Sequence, residues 1–145
     1  MNCVFCESPD VQSRVITRNT LAFSFPTNIP ITPGHILVCP TRCVSSFDEL
    51  TNEEVLAIMD LRKKLRASII KILGVEGFNY AWNEGKIAGQ AVNHLHLHIV
   101  PRKEGDAGIT EYEPRKFLYR PGSREESPNE ELTEIARLIE EGLKD

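Results

Sequence analysis

Asn93-His94-Leu95-His96-Leu97-His98-Ile99-Val100-Pro101-Arg102 is the stretch whose reading decides the fold, because it sets three of the chain's four histidines one aliphatic residue apart. Successive side chains of a β-strand point to opposite faces. The spacing therefore predicts a strand in which His94, His96 and His98 line one face about 6.6 Å apart, at roughly 3.3 Å rise per residue. Leu95, Leu97 and Ile99 would then face a core. A helix would turn the imidazoles by roughly 200° per two residues and scatter them. The pattern is thus a strand signal and a row of nitrogen nucleophiles on a rigid base.

Working outward, a glycine-bearing loop over 84–90 leads into this strand, and Phe78-Asn79-Tyr80-Ala81-Trp82-Asn83 reads as another strand before it. Thr51-Asn52-Glu53-Glu54 has the form of a capping box and opens a helix of about 20 residues that Gly74 ends. Ile58, Leu61, Leu65, Ile69 and Ile72 repeat at helical spacing, with Arg62, Lys63, Lys64 and Arg66 as a solvated face. Further upstream, His35-Ile36-Leu37-Val38-Cys39 is a strand stopped by Pro40. Residues 26–34 hold three prolines and read as a loop. Arg14-Val15-Ile16-Thr17-Arg18 and Leu21-Ala22-Phe23-Ser24-Phe25 predict a hairpin around Asn19-Thr20. Beyond Arg102 the chain turns polar and is expected to run extended over the surface. Ser127-Pro128-Asn129-Glu130 then predicts a second capping box and a last helix over about 129–142. Strands, helix, strands and helix with short connections suggest an antiparallel α+β domain of about five strands.

A chain of 145 residues with 41% hydrophobic and 26% charged residues suits one domain over 1–145, its core at about 3–102 and the remainder an extension with a terminal helix. No apolar run approaches the roughly 20 residues that cross a bilayer, so no membrane partner is expected. The first residues lack the basic and apolar regions of a secretory signal, and a cytoplasmic protein is expected. A net charge of -4 gives no basic stripe for duplex nucleic acid. A small, locally bound anion remains compatible. Cys3-Val4-Phe5-Cys6 is a CxxC, a spacing that lets two thiolates hold one metal. Reduced core cysteines or a disulfide are the alternatives, and the expected compartment disfavours the disulfide. Trp82 reads as core, and Phe5, Phe25 and Leu37 as packing either on a base or in the core.

The histidine run, with Gly89-Gln90 upstream of it and the separate Pro33-Gly34-His35 strand start, resembles the histidine-triad (HIT) superfamily of nucleotidyl hydrolases and transferases. The resemblance runs from about Cys3 to Arg102. Val100-Pro101-Arg102-Lys103 and the setting of His35 are most similar to the fragile-histidine-triad branch, which cleaves diadenosine polyphosphates. It implies a HIT-like fold, a homodimer, and cleavage of dinucleoside polyphosphates or adenosine phosphoramidates. A phosphorylase or transferase sharing the first step, or a non-catalytic purine-nucleotide-binding module, are the other readings.

The chemistry suits imidazole. Neutral imidazole attacks an anionic phosphorus without adding charge, and a reference pKa of about 6.5 leaves most of it unprotonated in cells. By the resemblance His96 carries the covalent nucleotidyl group. Its Nδ1–H is expected to donate to a backbone carbonyl, that of His94, which leaves Nε2 to attack. His98 is expected at the α-phosphate, and His35 as a hydrogen-bonded support of His94. Backbone N–H groups of Gly89, Gln90, Ala91 and Val92 form an expected anion cradle. The amides of Asn83 and Gln90 suit neutral hydrogen bonding of phosphate or leaving group.

Two positions depart from the family. Ala91 stands where many members have a hydroxyl residue, which removes a phosphate contact. Thr27, with Asn28 beside it, stands where an acidic or amide residue binds ribose. The resemblance also implies that Cys3, Cys6, Cys43 and His94 hold a closed, structural zinc, with no organic cofactor. Cys39 shares strand parity with His35 and is expected to be a small buried residue.

Overall fold

The computed structural model describes residues 3–106 and 126–144. Two short N-terminal helices, α1 (Val4–Glu7) and α2 (Pro9–Ser13), are followed by β1 (Thr17–Arg18), β2 (Ala22–Pro26), β3 (Ile36–Pro40), α3 (Asn52–Leu73), β4 (Gly77–Ala81), β5 (Leu97–Arg102) and α4 (Asn129–Gly142). All strand pairs are antiparallel, in the order β1-β2-β3-β5-β4.

The long helix is fixed at both ends by local chemistry. Thr51 Oγ1 accepts from the Glu54 N–H at 3.1 Å and Glu54 Oε1 accepts from the Thr51 N–H at 2.9 Å. Two of the four orphan donors of the first turn are satisfied in this way. At the other end Gly74 takes φ 63° and closes the helix through its N–H to the Ile70 carbonyl. Ile58, Leu61, Leu65 and Ile69 are all buried and pack on Ala22, Ile36, Val38, Leu97 and Ile99 of the sheet. Each fully buried aliphatic side chain contributes about 1.5–3 kcal/mol. Leu65→Ala would therefore cost roughly 2–5 kcal/mol. Arg62 and Arg66 do not simply point to solvent: their guanidinium groups cover the Tyr80 and Phe78 rings of the edge strand β4 at 5.3 and 5.2 Å.

Strand parity divides the sheet. Residues 22, 36, 38, 97 and 99 face α3, and the opposite face carries Phe23, Phe25, Leu37 and Cys39, buried together with Phe5 and Val11 of the N-terminal helices. Cys39 is fully buried, as its parity predicts. Leu37 pairs with His98 on β5 and with Phe25 on β2. Cross-strand partners share a face, so His98, Leu37 and Phe25 form a row across the sheet under α1 and α2.

Several elements differ from the sequence reading. The first predicted strand shrinks to Thr17–Arg18, because the chain ahead of it is helical and Arg14 caps α2. Trp82 lies beyond β4, is 44% exposed, and stacks on Phe47 at 4.7 Å instead of entering the core. The last helix is capped by Pro128 without a side-chain bond, since the Ser127 N–H is drawn to the Asn28 carbonyl at 2.7 Å. The predicted extended stretch after Arg102 falls mostly on 107–125, outside the described residues.

The histidine run itself is only half strand. β5 begins at Leu97, so His98 stands in the ladder while His94 and His96 lie in the segment leading into it. Pro40 stops the pairing. It offers no N–H, and its carbonyl accepts from His94 Nε2 at 2.7 Å, while the Leu95 N–H goes to Val44 at 2.7 Å. The even row of imidazoles predicted from alternation is therefore replaced by three rings with three separate tasks.

Candidate active site and metal centre

His96 is buried, 8% exposed, and its Nδ1 lies 2.7 Å from the His94 carbonyl oxygen. A carbonyl can only accept, so Nδ1 carries the hydrogen and Nε2 keeps its lone pair. Among the described residues Nε2 has no hydrogen-bond partner, and it is not one of the buried atoms sealed from solvent. Burial pushes the His96 pKa below its ordinary value, an effect only partly offset by that hydrogen bond. The ring is thus held neutral with one nitrogen presented outward.

His98 stands beside it, ring centroids 4.9 Å apart. Its Nδ1 is 2.9 Å from Nε2 of His35, whose Nδ1 accepts the Ile31 N–H at 3.0 Å. His35 is therefore placed against His98, not against His94 as the sequence reading expected. That difference has a plain cause: His94 turns away toward Pro40 and the cysteines, while residue 35 shares a sheet face with His98.

His94 is fully buried and its Nδ1 lies 3.3 Å from Cys3 Sγ and 3.4 Å from Cys6 Sγ. With Nε2–H given to Pro40, Nδ1 offers a lone pair to the thiols. Burial lowers the His94 pKa, which keeps that lone pair available. The ligand atoms of Cys3, Cys6, Cys43 and His94 all lie within 4.8 Å of one another. A tetrahedral zinc with bonds of about 2.3 Å to sulfur and 2.0–2.1 Å to nitrogen requires separations of this order.

The thiols are mutually frustrated without a cation. Burial opposes ionisation of Cys3, yet hydrogen bonds from Cys6 and Cys43 bring its pKa below the ordinary value. Burial, together with Cys3, pushes Cys6 up to about 12 and also raises Cys43. A divalent ion removes that conflict by deprotonating all three. The S₃N donor set and its geometry fit zinc.

The loop before the triad is tied down internally. Gln90 Oε1 accepts from the Gly85 N–H at 2.7 Å and its Nε2 donates to the Ser45 carbonyl at 3.0 Å, so its amide braces the loop. The N–H groups of Gly89 and Gln90 go to the Lys86 and Gly85 carbonyls, each at 3.1 Å. Of the predicted cradle this leaves the N–H groups of Ala91 and Val92, which have no partner among the described residues. Gly89 adopts φ 93°, a conformation that favours glycine, and the Asn83 amide lies 3.5 Å from its carbonyl.

A cavity of about 370 Å³ opens next to these groups, walled by Phe5, Val11, Phe25, Leu37 and Val92. Phe5 meets the His96 ring edge-on at 5.1 Å and the Phe25 ring at 5.0 Å, which connects the cavity to His96. Thr27 and Asn28 line it as well, and Asn28 Nδ2 donates to Glu126 Oε1 at 3.1 Å. Sequence reading missed Val11 and Arg14, which also line it. The signal was present in Ser8-Pro9-Asp10, since Ser8 Oγ caps α2 with Pro9 in its first turn.

The chain is similar to known proteins in both sequence and fold. The HIT domain family matches residues 8–105. The chain is 32% identical over 136 residues to a bis(5'-adenosyl)-triphosphatase of Dictyostelium discoideum, covering 90% of this chain and 88% of that one. It is 32% identical over 111 residues to an adenosine 5'-monophosphoramidase of Schizosaccharomyces pombe, covering 75% and 80%. Among solved structures, a zinc-bound histidine triad family protein from Mycobacterium smegmatis superposes with a TM-score of 0.73 at 26% identity, over 99% of this chain and 94% of that one.

Proposed function

This chain belongs to the HIT-domain family, and from that premise we propose that it is a nucleotidyl hydrolase working through a covalent nucleotidyl-His96 intermediate. The observation that carries the proposal is the 2.7 Å contact from His96 Nδ1 to the His94 carbonyl, which leaves a neutral Nε2 beside His98. Relatives that act on diadenosine triphosphate and on adenosine phosphoramidate support dinucleoside polyphosphates or adenosine phosphoramidates as substrates.

In the first step the Nε2 lone pair of His96 forms a bond to the α-phosphorus as the bond to the leaving nucleotide or amine breaks and that group takes up a proton. His98 donates a hydrogen bond to the phosphoryl oxygens, and the N–H groups of Ala91 and Val92 contact the same anion. Water then adds to phosphorus, the P–N bond to His96 breaks, and a nucleoside monophosphate leaves with imidazole restored. In a phosphorylase, inorganic phosphate would take the place of water.

Cys3, Cys6, Cys43 and His94 would hold a structural zinc that links the N-terminus to the triad. By holding His94, these residues also fix the carbonyl that orients His96. Four free cysteines suit a reducing, cytoplasmic setting. Edge strand β4, with Tyr80 39% exposed, suits pairing with a second copy as a homodimer.

His96→Ala separates this reading from a binding module. Turnover of adenosine phosphoramidate should fall by roughly 10³ or more, the scale seen when a nucleophile is removed, while nucleoside monophosphate still binds. Unchanged turnover in the variant would contradict the proposal.

A further inference from the structure

Arg14 is the unexplained residue of the cavity. It is only 6% exposed, yet among the described residues it has no carboxylate within ion-pair distance. Its Nε donates to the Pro26 carbonyl at 2.9 Å and its guanidinium lies 5.6 Å from the Phe25 ring centroid. The two Nη groups make no hydrogen bond among the described residues, and neither is a sealed buried atom. Burial lowers the pKa of this guanidinium, and the Asp10 charge offsets that in part.

Asp10 sits one helical turn earlier, the i,i+4 position at which Asp and Arg ordinarily close into a pair. Here Arg14 turns inward to Phe25 while Asp10 remains exposed at the rim, and both line the cavity. The wall therefore presents a forked donor and, separately, a carboxylate acceptor.

The sheet register says which part of a nucleotide meets them. His98, Leu37 and Phe25 lie in one row on adjacent strands, so Phe25 is about 9.6 Å from the triad at roughly 4.8 Å per strand. A phosphate held at His96 and His98 leaves its nucleoside to run along Leu37 toward Phe25, with the base at the Arg14 end. Guanine presents two adjacent acceptors, O6 and N7, to a bidentate arginine, whereas adenine places its N6 amino donor beside N7. Guanine also carries N1–H and an amino group that can donate to a carboxylate, where adenine N1 is an acceptor.

Resting on the nucleotidyl reading of the site, we infer that Arg14 selects the base and that the cavity prefers 6-oxopurine nucleotides, guanine or hypoxanthine, over adenine. The donor fork at Arg14 opposes adenine, whose N6 amino donor would face it, and the acceptor at Asp10 suits guanine N1–H.

Calorimetric titration of the full chain with free GMP, IMP and AMP tests this without any catalytic step. GMP and IMP should bind roughly tenfold or more tighter than AMP, the discrimination expected of one bidentate base contact. Arg14→Lys keeps the charge and a donor for the Pro26 carbonyl but loses the fork; thermal melting checks that it folds. In this variant the preference should shrink to within about twofold. Equal binding of GMP and AMP, or a preference that survives Arg14→Lys, would overturn the base assignment alone. Binding of adenosine 3',5'-bisphosphate above GMP would place an anion at Arg14 and also overturn it. If none of these nucleotides bound, the nucleotidyl reading of the site would fall with it.

Discussion

His35 Nε2 and His98 Nδ1 stand 2.9 Å apart, and the backbone N–H of Ile31 decides which of them carries the hydrogen. Because Ile31 donates to His35 Nδ1, the neutral His35 ring must hold its proton on Nε2 and give it to His98 Nδ1. His98 is then protonated on Nε2, the tautomer that can donate to a phosphoryl oxygen. The loop N–H of Ile31 thus sets, through His35, the tautomer of a residue 63 positions beyond that histidine.

This relay predicts a positioning role for His35. His35→Ala should lower kcat by roughly 10- to 100-fold, the range for groups that orient a functional ligand, with little change in KM. His35→Gln, whose amide can donate to His98, should recover part of the loss. Steady-state kinetics of both variants check this. A rise in KM with kcat unchanged would contradict it.

The cysteine cluster predicts about one zinc per chain by elemental analysis of protein purified without chelator. Cys43→Ser should lose most of it and lower Tm, whereas Cys43→His should retain both, since either side chain completes a four-ligand site. Chelation should release protected thiols in proportion to metal lost. A wild-type chain of full stability with no metal would remove the zinc site from the account.

Much of this was legible before the structure because it is local. The Thr51–Glu54 box and Gly74 set the bounds of α3 from within a few residues, and the apolar stripe gave its buried face. The parity of β3 placed Cys39 correctly. What misled was tertiary: nothing within the histidine run states that Pro40 will end the ladder and capture His94 Nε2. Arg14 read as a strand residue because β-branched neighbours follow it. Only the packing of α2 against Phe25 turns it into the cavity.

Glu54 couples helix initiation to pH. The Arg42 guanidinium, bonded to it at 2.7 Å, leads the groups that hold its carboxyl down at about 2, and the Thr51 N–H assists. A carboxyl depressed in the folded state favours folding above its unfolded pKa of about 4.3, and that contribution is lost as pH falls toward 2. Tm should therefore decline between about pH 4 and pH 2. In Glu54→Gln this part of the acid decline should be missing, from a lower starting Tm. An unchanged acid profile in the variant would count against this coupling.

Gln90 is expected to act through the loop it braces. Gln90→Ala frees the Gly85 N–H and the Ser45 carbonyl and should cost about 1–3 kcal/mol of stability. Hydrogen exchange at 84–90 should speed up in the variant. Wild-type exchange rates there would show that the amide serves the ligand and not the loop.

The most direct measurement is the mass of the intact protein quenched during turnover of an adenylated or guanylated phosphoramidate. Attack through nitrogen predicts a gain equal to one nucleoside monophosphate less water, acid-labile, mapping to the peptide that holds residue 96 and missing from His96→Ala. A wild-type protein that turns over substrate in the same burst without ever gaining that mass, while the variant stays active, would contradict the account at its centre.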